Sequence, residues 1–360
     1  MPRKNQYYGG IIGASPLVVP SWDGSGVHYL VIAGGGQGGR GTSYGNIGGG
    51  GGGGAGGYLT SWAGSTNTES SGGGAAAGSA LTFASGTTYE IVVGAGGSGA
   101  NTYNGAAGAD SVIRVQSGSA LVTATGGGPG GSGVSLNTYG SGSQLDGGSG
   151  GGAGGDDDPA IVWSGGSATP SPVQGYGGGD GKHTSGSGGY LLGGGGGGAG
   201  SAGGDYVAAT SGGAGGNGLA STITSATAVP RAGGGGGGGS AQNGDPGGSG
   251  GSGGGGSGAS AANSGGGDAT AHTGSGGGGV AFKVSNTALV YGGVGGAGTV
   301  ILRIPASAGY SQSQMTSDLS TTTGVTFIPV GNDLVAVFET NATSGAPAGT
   351  TTTWTWTPNF

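Results

Sequence analysis

Three histidines are the side chains best suited to acid–base work near neutral pH, and their surroundings give them no partner. His28 falls inside the apolar run Val27-His28-Tyr29-Leu30-Val31-Ile32-Ala33, while His183 and His272 sit in polar stretches without a neighbouring acidic motif. A serine nucleophile needs a base and an orienting acid beside it. Serine is so frequent here that such a set can be assembled on paper almost anywhere, which strips it of meaning. Gly-x-Gly-x-x-Gly phrases recur for a similar reason, since glycine accounts for 108 of 360 residues. A phosphate loop requires Gly-Lys followed by Ser or Thr, and Gly181-Lys182 is followed by His183. Cysteine is absent, so disulfides, thiolate catalysis and cysteine zinc sites are removed together. These residues predict neither an enzyme nor a bound cofactor.

Two other groups carry binding chemistry. Asp156-Asp157-Asp158-Pro159 is the one acidic run; it supplies hard oxygen ligands for a cation such as Ca²⁺, or forms a solvated turn. Tyr103, Tyr139, Trp163, Tyr176, Tyr190 and Tyr206 stand in segments otherwise poor in side chains. Rigid aromatics among small residues make a recognition surface for sugars or proteins, or else wedge between neighbouring passes of chain as local packing.

Whatever positions these groups is built largely from glycine. Collagen is excluded, because proline numbers only 13 and uninterrupted runs such as residues 48–54 break any Gly-x-y triplet. Disorder is the competing outcome for a Gly/Ser-rich chain, which buries too little apolar surface to offset chain entropy. The apolar residues here are instead gathered into compact strand-like runs. Ordering each glycine costs about 0.5–1 kcal/mol relative to alanine, and a glycine run has no side chain to bury. The compensation must come from main-chain groups of adjacent passes bonding at close approach. Polyproline II geometry, with three residues per turn at about 3.1 Å rise, points the amides sideways for that purpose.

The runs define three segments. Residues 1–26 read as an N-terminal docking arm, with Tyr7, Tyr8, Ile11 and Ile12 as its contact candidates. Residues 27–305 alternate strands with glycine tracts. Val27 to Ala33 runs into Gly34-Gly35-Gly36, and Tyr89-Glu90-Ile91-Val92-Val93 into Gly94. Val112 to Val115 and Leu121 to Thr125 form a hairpin across Gln116-Ser117-Gly118-Ser119. Thr299 to Ile304 closes the region before Pro305. Tracts at 193–198, 233–239 and 276–279 predict near-parallel rods joined by turns. Residues 306–360 return to alternation in Val325 to Ile328, Leu334 to Phe338 and Thr353 to Thr357, and predict a short β-rich module able to add strands to a neighbouring subunit. The predicted fold is mainly β: a small β-sandwich clamping a bundle of polyglycine II-type helices, a C-terminal β module, and essentially no α-helix.

The strand-then-glycine phrases, Tyr29-Leu30-Val31-Ile32-Ala33-Gly34-Gly35-Gly36, Gly54-Ala55-Gly56-Gly57-Tyr58, Thr88-Tyr89-Glu90-Ile91-Val92-Val93-Gly94-Ala95-Gly96-Gly97 and Gly295-Gly296-Ala297-Gly298-Thr299-Val300-Ile301-Leu302-Arg303-Ile304-Pro305, resemble the glycine-rich domains of phage tail fibres and adhesins, especially those of marine and cyanobacterial phages. The resemblance spans about residues 27–305. It implies a structural virion protein on the particle exterior, trimeric as in some fibres, docked to other virion proteins, with loops on a polyglycine II bundle that touch a host glycan or protein. The chain departs from long fibres in being short and without a heptad stalk. Two alternatives are a capsid head fibre or decoration protein and an ice- or surface-binding glycine bundle. The latter calls for regular Gly-Gly-x triplets, which this sequence lacks. A net charge of -7 disfavours nucleic acid, and no run is long and apolar enough for membrane insertion.

Overall fold

The computed structural model describes residues 23–41, 48–99, 104–133, 142–155, 162–184, 190–207, 210–240, 244–262, 264–282, 290–343 and 347–360. Apolar runs of five or six residues that include β-branched side chains form the longer strands, and two sheets of these face each other. The first has the order β14 (Val325–Val330), β15 (Asp333–Glu339), β13 (Thr299–Ile304), β1 (His28–Ile32) and β3 (Tyr58–Thr60). The second runs β16 (Thr352–Trp356), β4 (Tyr89–Val93), β5 (Ser111–Val115) and β6 (Ala120–Ala124). The pairings within both sheets are antiparallel. Alternation along each strand decides what faces inward. Tyr29, Val31, Val300, Leu302, Ala336 and Phe338 of the first sheet meet Tyr89, Ile91, Ile113, Val122, Trp354 and Trp356 of the second in one buried core.

The strand β1 reads as continuously apolar because both of its faces are covered. Leu30 and Ile32, with Ile301, Val335 and Val337, point away from the sandwich core into a second cluster with Tyr58, Ile223 and the rod alanines Ala55, Ala199 and Ala232. A two-stranded hairpin, β10 (Leu219–Ser221) with β11 (Val229–Arg231), contributes to that cover through Leu219.

The glycine tracts leave the sandwich as rods. β1 continues into residues 33–39, and residues 49–57 return into β3; β6 leads out through 125–133, and 290–298 return into β13. The pass 49–57 shows how they are held. Gly50, Gly53 and Gly56 donate their N–H groups to Val280, Gly277 and Gly274; Gly51, Gly54 and Gly57 donate to Gly131, Gly128 and Thr125; Gly52 and Ala55 donate to Gly194 and Gly197. Its carbonyls accept from three further passes: from Gly39, Gly36 and Ala33, from Gly155, Gly152 and Ser149, and from Gly238 and Gly235. All of these bonds measure 2.7–3.1 Å. A partner that recurs every third residue is the signature of a threefold helix, and six neighbours around one rod make a hexagonal lattice. The tracts 193–198, 233–239 and 276–279 are likewise interior rods.

The spacing explains the glycine. A Cβ built on Gly51, Gly52 or Gly53 would fall 1.9, 2.0 or 2.1 Å from the carbonyl oxygen of Gly152, Gly235 or Gly36, each in a different neighbouring rod. Two buried glutamines complete main-chain bonding where rods diverge. Gln37 donates to the Gly292 carbonyl and accepts from the Ala106 N–H; Gln174 donates to Thr123 and accepts from Thr125.

Away from the sandwich the rods carry two more small sheets, β7 (Val162–Trp163), β8 (Gly181–Thr184) and β9 (Tyr190–Leu192), and the pair β12 (Ala281–Phe282) with β2 (Gly48–Gly49). Among the described residues there is one α-helix, α1 (Gln312–Asp318), which begins at a capping box between Ser311 and Gln314.

Residues 306–360 differ from the tail module expected. Their strands join the sheets of this same chain: β15 pairs with β13 in register Ile301↔Val337, and β16 pairs with β4 in register Ile91↔Trp354. A three-stranded sheet is marginal by itself, whereas here Phe338, Trp354 and Trp356 find a completed core.

Candidate functional site

Of the residues selected from sequence, the structure describes Trp163, Tyr176, Tyr190 and Tyr206. Tyr7, Tyr8, Ile11 and Ile12, Tyr103, Tyr139, and Asp156, Asp157 and Asp158 lie outside the described residues. Among those described, no group of three His, Cys, Asp or Glu converges in a way that could hold a metal ion. Trp163 corrects the expectation of a receptor contact: it is 8% exposed and packs with Leu145 and Ala153, which is the wedge role. Tyr176 is half-buried at the sandwich end of its rod, its hydroxyl 3.3 Å from where a Cβ on Gly74 would lie. Tyr206 is half-buried near the other end, its N–H bonded to the Asp180 carbonyl. Tyr190 opens β9.

A different cluster, marked by no sequence motif, forms where rod 49–57 enters β3 and the chain turns outward. Trp62 is half-buried two residues beyond that strand. Its backbone N–H donates to the Thr60 hydroxyl at 2.9 Å and its indole N–H to the Thr222 hydroxyl at 3.1 Å. The Arg303 guanidinium stacks over the ring at 4.0 Å from its centroid, a cation–π contact. His28 meets the same ring edge to face at 5.1 Å.

In this cluster Arg303 has a countercharge and Glu69 is held by neutral donors. Arg303 bonds Asp333 at 2.9 Å and donates to the Ile223 carbonyl at 3.3 Å. Glu69 accepts from the Ser221 hydroxyl at 2.7 Å, from the Thr222 N–H at 2.9 Å, and from the Thr222 hydroxyl. Behind it Tyr58 is buried, and burial pushes its phenol well above the ordinary tyrosine range; burial likewise pulls the Arg231 guanidinium down.

His28 and Ser61 lie together, with Nδ1 3.4 Å from the hydroxyl, but the arrangement is not that of an activated nucleophile. The same Nδ1 lies 3.1 Å from the Ser61 carbonyl, and the buried hydroxyl accepts from the Tyr29 N–H at 2.9 Å. No helix among the described residues is long and apolar enough to cross a membrane. No protein-family model and no curated protein sequence matches the chain.

Proposed function

We propose that this chain is a structural virion protein, a subunit of a phage tail fibre or appendage, in which the glycine bundle is a rigid strut that extends from the sandwich. The observation that carries this reading is the enclosed pass 49–57, whose main chain bonds to six neighbouring passes. At about 3.1 Å per residue such a rod extends roughly 28 Å without an internal hydrogen bond of its own, so its stiffness comes from the lattice. A flexible tether has no use for that cost in order. In this reading residues 1–26 dock on other virion proteins, the assembled form is a homo-oligomer with a trimer favoured by the resemblance, and loops of the glycine-rich domain contact a host glycan or protein.

Immunogold labelling of intact particles, with antibody raised to the purified chain, tests it. Gold on the tail is the expected result, gold on the head moves the protein to a head fibre or decoration role, and particles without label overturn the virion assignment.

A further inference from the structure

Two depressions meet at Trp62. One, of about 640 Å³, is lined by His28, Trp62, Asn67, Thr68 and Glu69 together with Ala76 to Gly78. The other, of about 350 Å³, is lined by Trp62, Ser65, Thr222, Ser225 and Arg303 beside Val330 and Gly331. Both volumes fall in the range of small-ligand sites, about 300–1,000 Å³. The shared wall is an aromatic ring fixed through its backbone, its indole N–H and its Arg303-covered face. Such a ring presents contact area at little entropic cost on binding.

The rim selects the ligand class. Hydroxyl and amide groups surround the ridge, Asn67 and Thr68 on one side and Ser65 and Ser225 on the other. The carboxylate of Glu69 is held by three neutral donors and the Arg303 charge is matched by Asp333, so Arg303 is not left to recruit an anion. The net charge of -7 further opposes an anionic ligand. A polyhydroxylated, uncharged molecule fits these groups, its apolar face set against the part of the indole that Arg303 and His28 leave uncovered. We infer that this double groove binds a neutral oligosaccharide, with the indole of Trp62 as the ridge between two sugar subsites. The site lies at the sandwich end, and it stands independently of where the protein resides on a particle.

The test is a titration of the full chain with a panel of neutral trisaccharides built from glucose, mannose, galactose or N-acetylglucosamine, with sialylated and sulfated trisaccharides as comparators, following the Trp62 indole resonance by NMR. At least one neutral trisaccharide should shift that resonance saturably below roughly 10 mM. Trp62→Ala and Thr68→Trp should each weaken binding by about tenfold or more. Thr68 is exposed, so Thr68→Trp fills the larger groove without disturbing the packed ring and decides the matter should Trp62→Ala fail to fold. A panel without any saturable neutral ligand, binding confined to the acidic sugars, or unchanged affinity in Thr68→Trp overturns the inference. Particle labelling and sugar titration read different properties, so either reading can fail alone.

Discussion

A single methyl group has opposite consequences at two glycines of this bundle. Gly53 lies in the enclosed rod, where a Cβ would sit 2.1 Å from the Gly36 oxygen; adding it must push two rods apart and break bonds on both. Gly53→Ala should destabilise by about 1–3 kcal/mol or more, read as a lowered melting temperature. Gly99 is exposed, with only the Ala106 Cβ at 4.0 Å from the built methyl and no positive φ, so Gly99→Ala should raise stability by about 0.4–1 kcal/mol through the unfolded chain. Equal effects at the two sites would contradict the lattice account. Tyrosine burial gives a pH dependence at this scale too. Tyr58 is raised by burial, and Tyr310 by burial and by its hydroxyl bond to Asp318. The folded state therefore holds these protons more tightly than the unfolded chain. Their contribution is complete below about pH 10, the ordinary tyrosine value, and is lost as pH climbs above it. Melting temperature followed from pH 8 to 11 should fall, and less steeply in Tyr58→Phe than in the parent.

At the level of elements, the strands read correctly from sequence are those with local signals. The turn Gly331-Asn332 joins β14 to β15 with Val330 opposite Asp333 and Gly331 at φ +63, as the alternation around it predicts. The β5–β6 hairpin closes through Ser117 at φ +57. The partners of β15 and β16 were not legible, because Thr352–Trp356 pairs with a strand some 260 residues earlier and alternation states only which side chains share a face, never whose face they meet. That pairing has a cost when removed. Trp354 is fully buried against Phe338 at 5.5 Å between ring centroids, and its indole N–H donates to the Thr323 carbonyl. Trp354→Ala should lose about 3–5 kcal/mol in urea unfolding. If residues 306–360 were a separate module, that loss would leave the melting of the sandwich unchanged.

For the molecule as a whole, the decisive property is whether the rods are held as firmly as the sheets. Amide hydrogen exchange separates a strut from a tether: N–H groups of residues 50–57 should exchange as slowly as those of β1 and β13, through global unfolding, although these rods contain no α-helix or long sheet. Rapid exchange along that pass would remove the strut. The composition alone determined that glycine must be ordered by main-chain contact, since a run without side chains has no other means of offsetting its entropy, and the apolar runs determined which segments become strands. Tertiary structure alone decided which six passes surround the enclosed rod 49–57, that the C-terminal strands complete the chain's own sandwich, and that Trp62, Arg303, His28 and Glu69 converge. Those outcomes depend on contacts between residues separated by tens to hundreds of positions, and neither glycine tracts nor single aromatics carry a local pattern that names a distant partner.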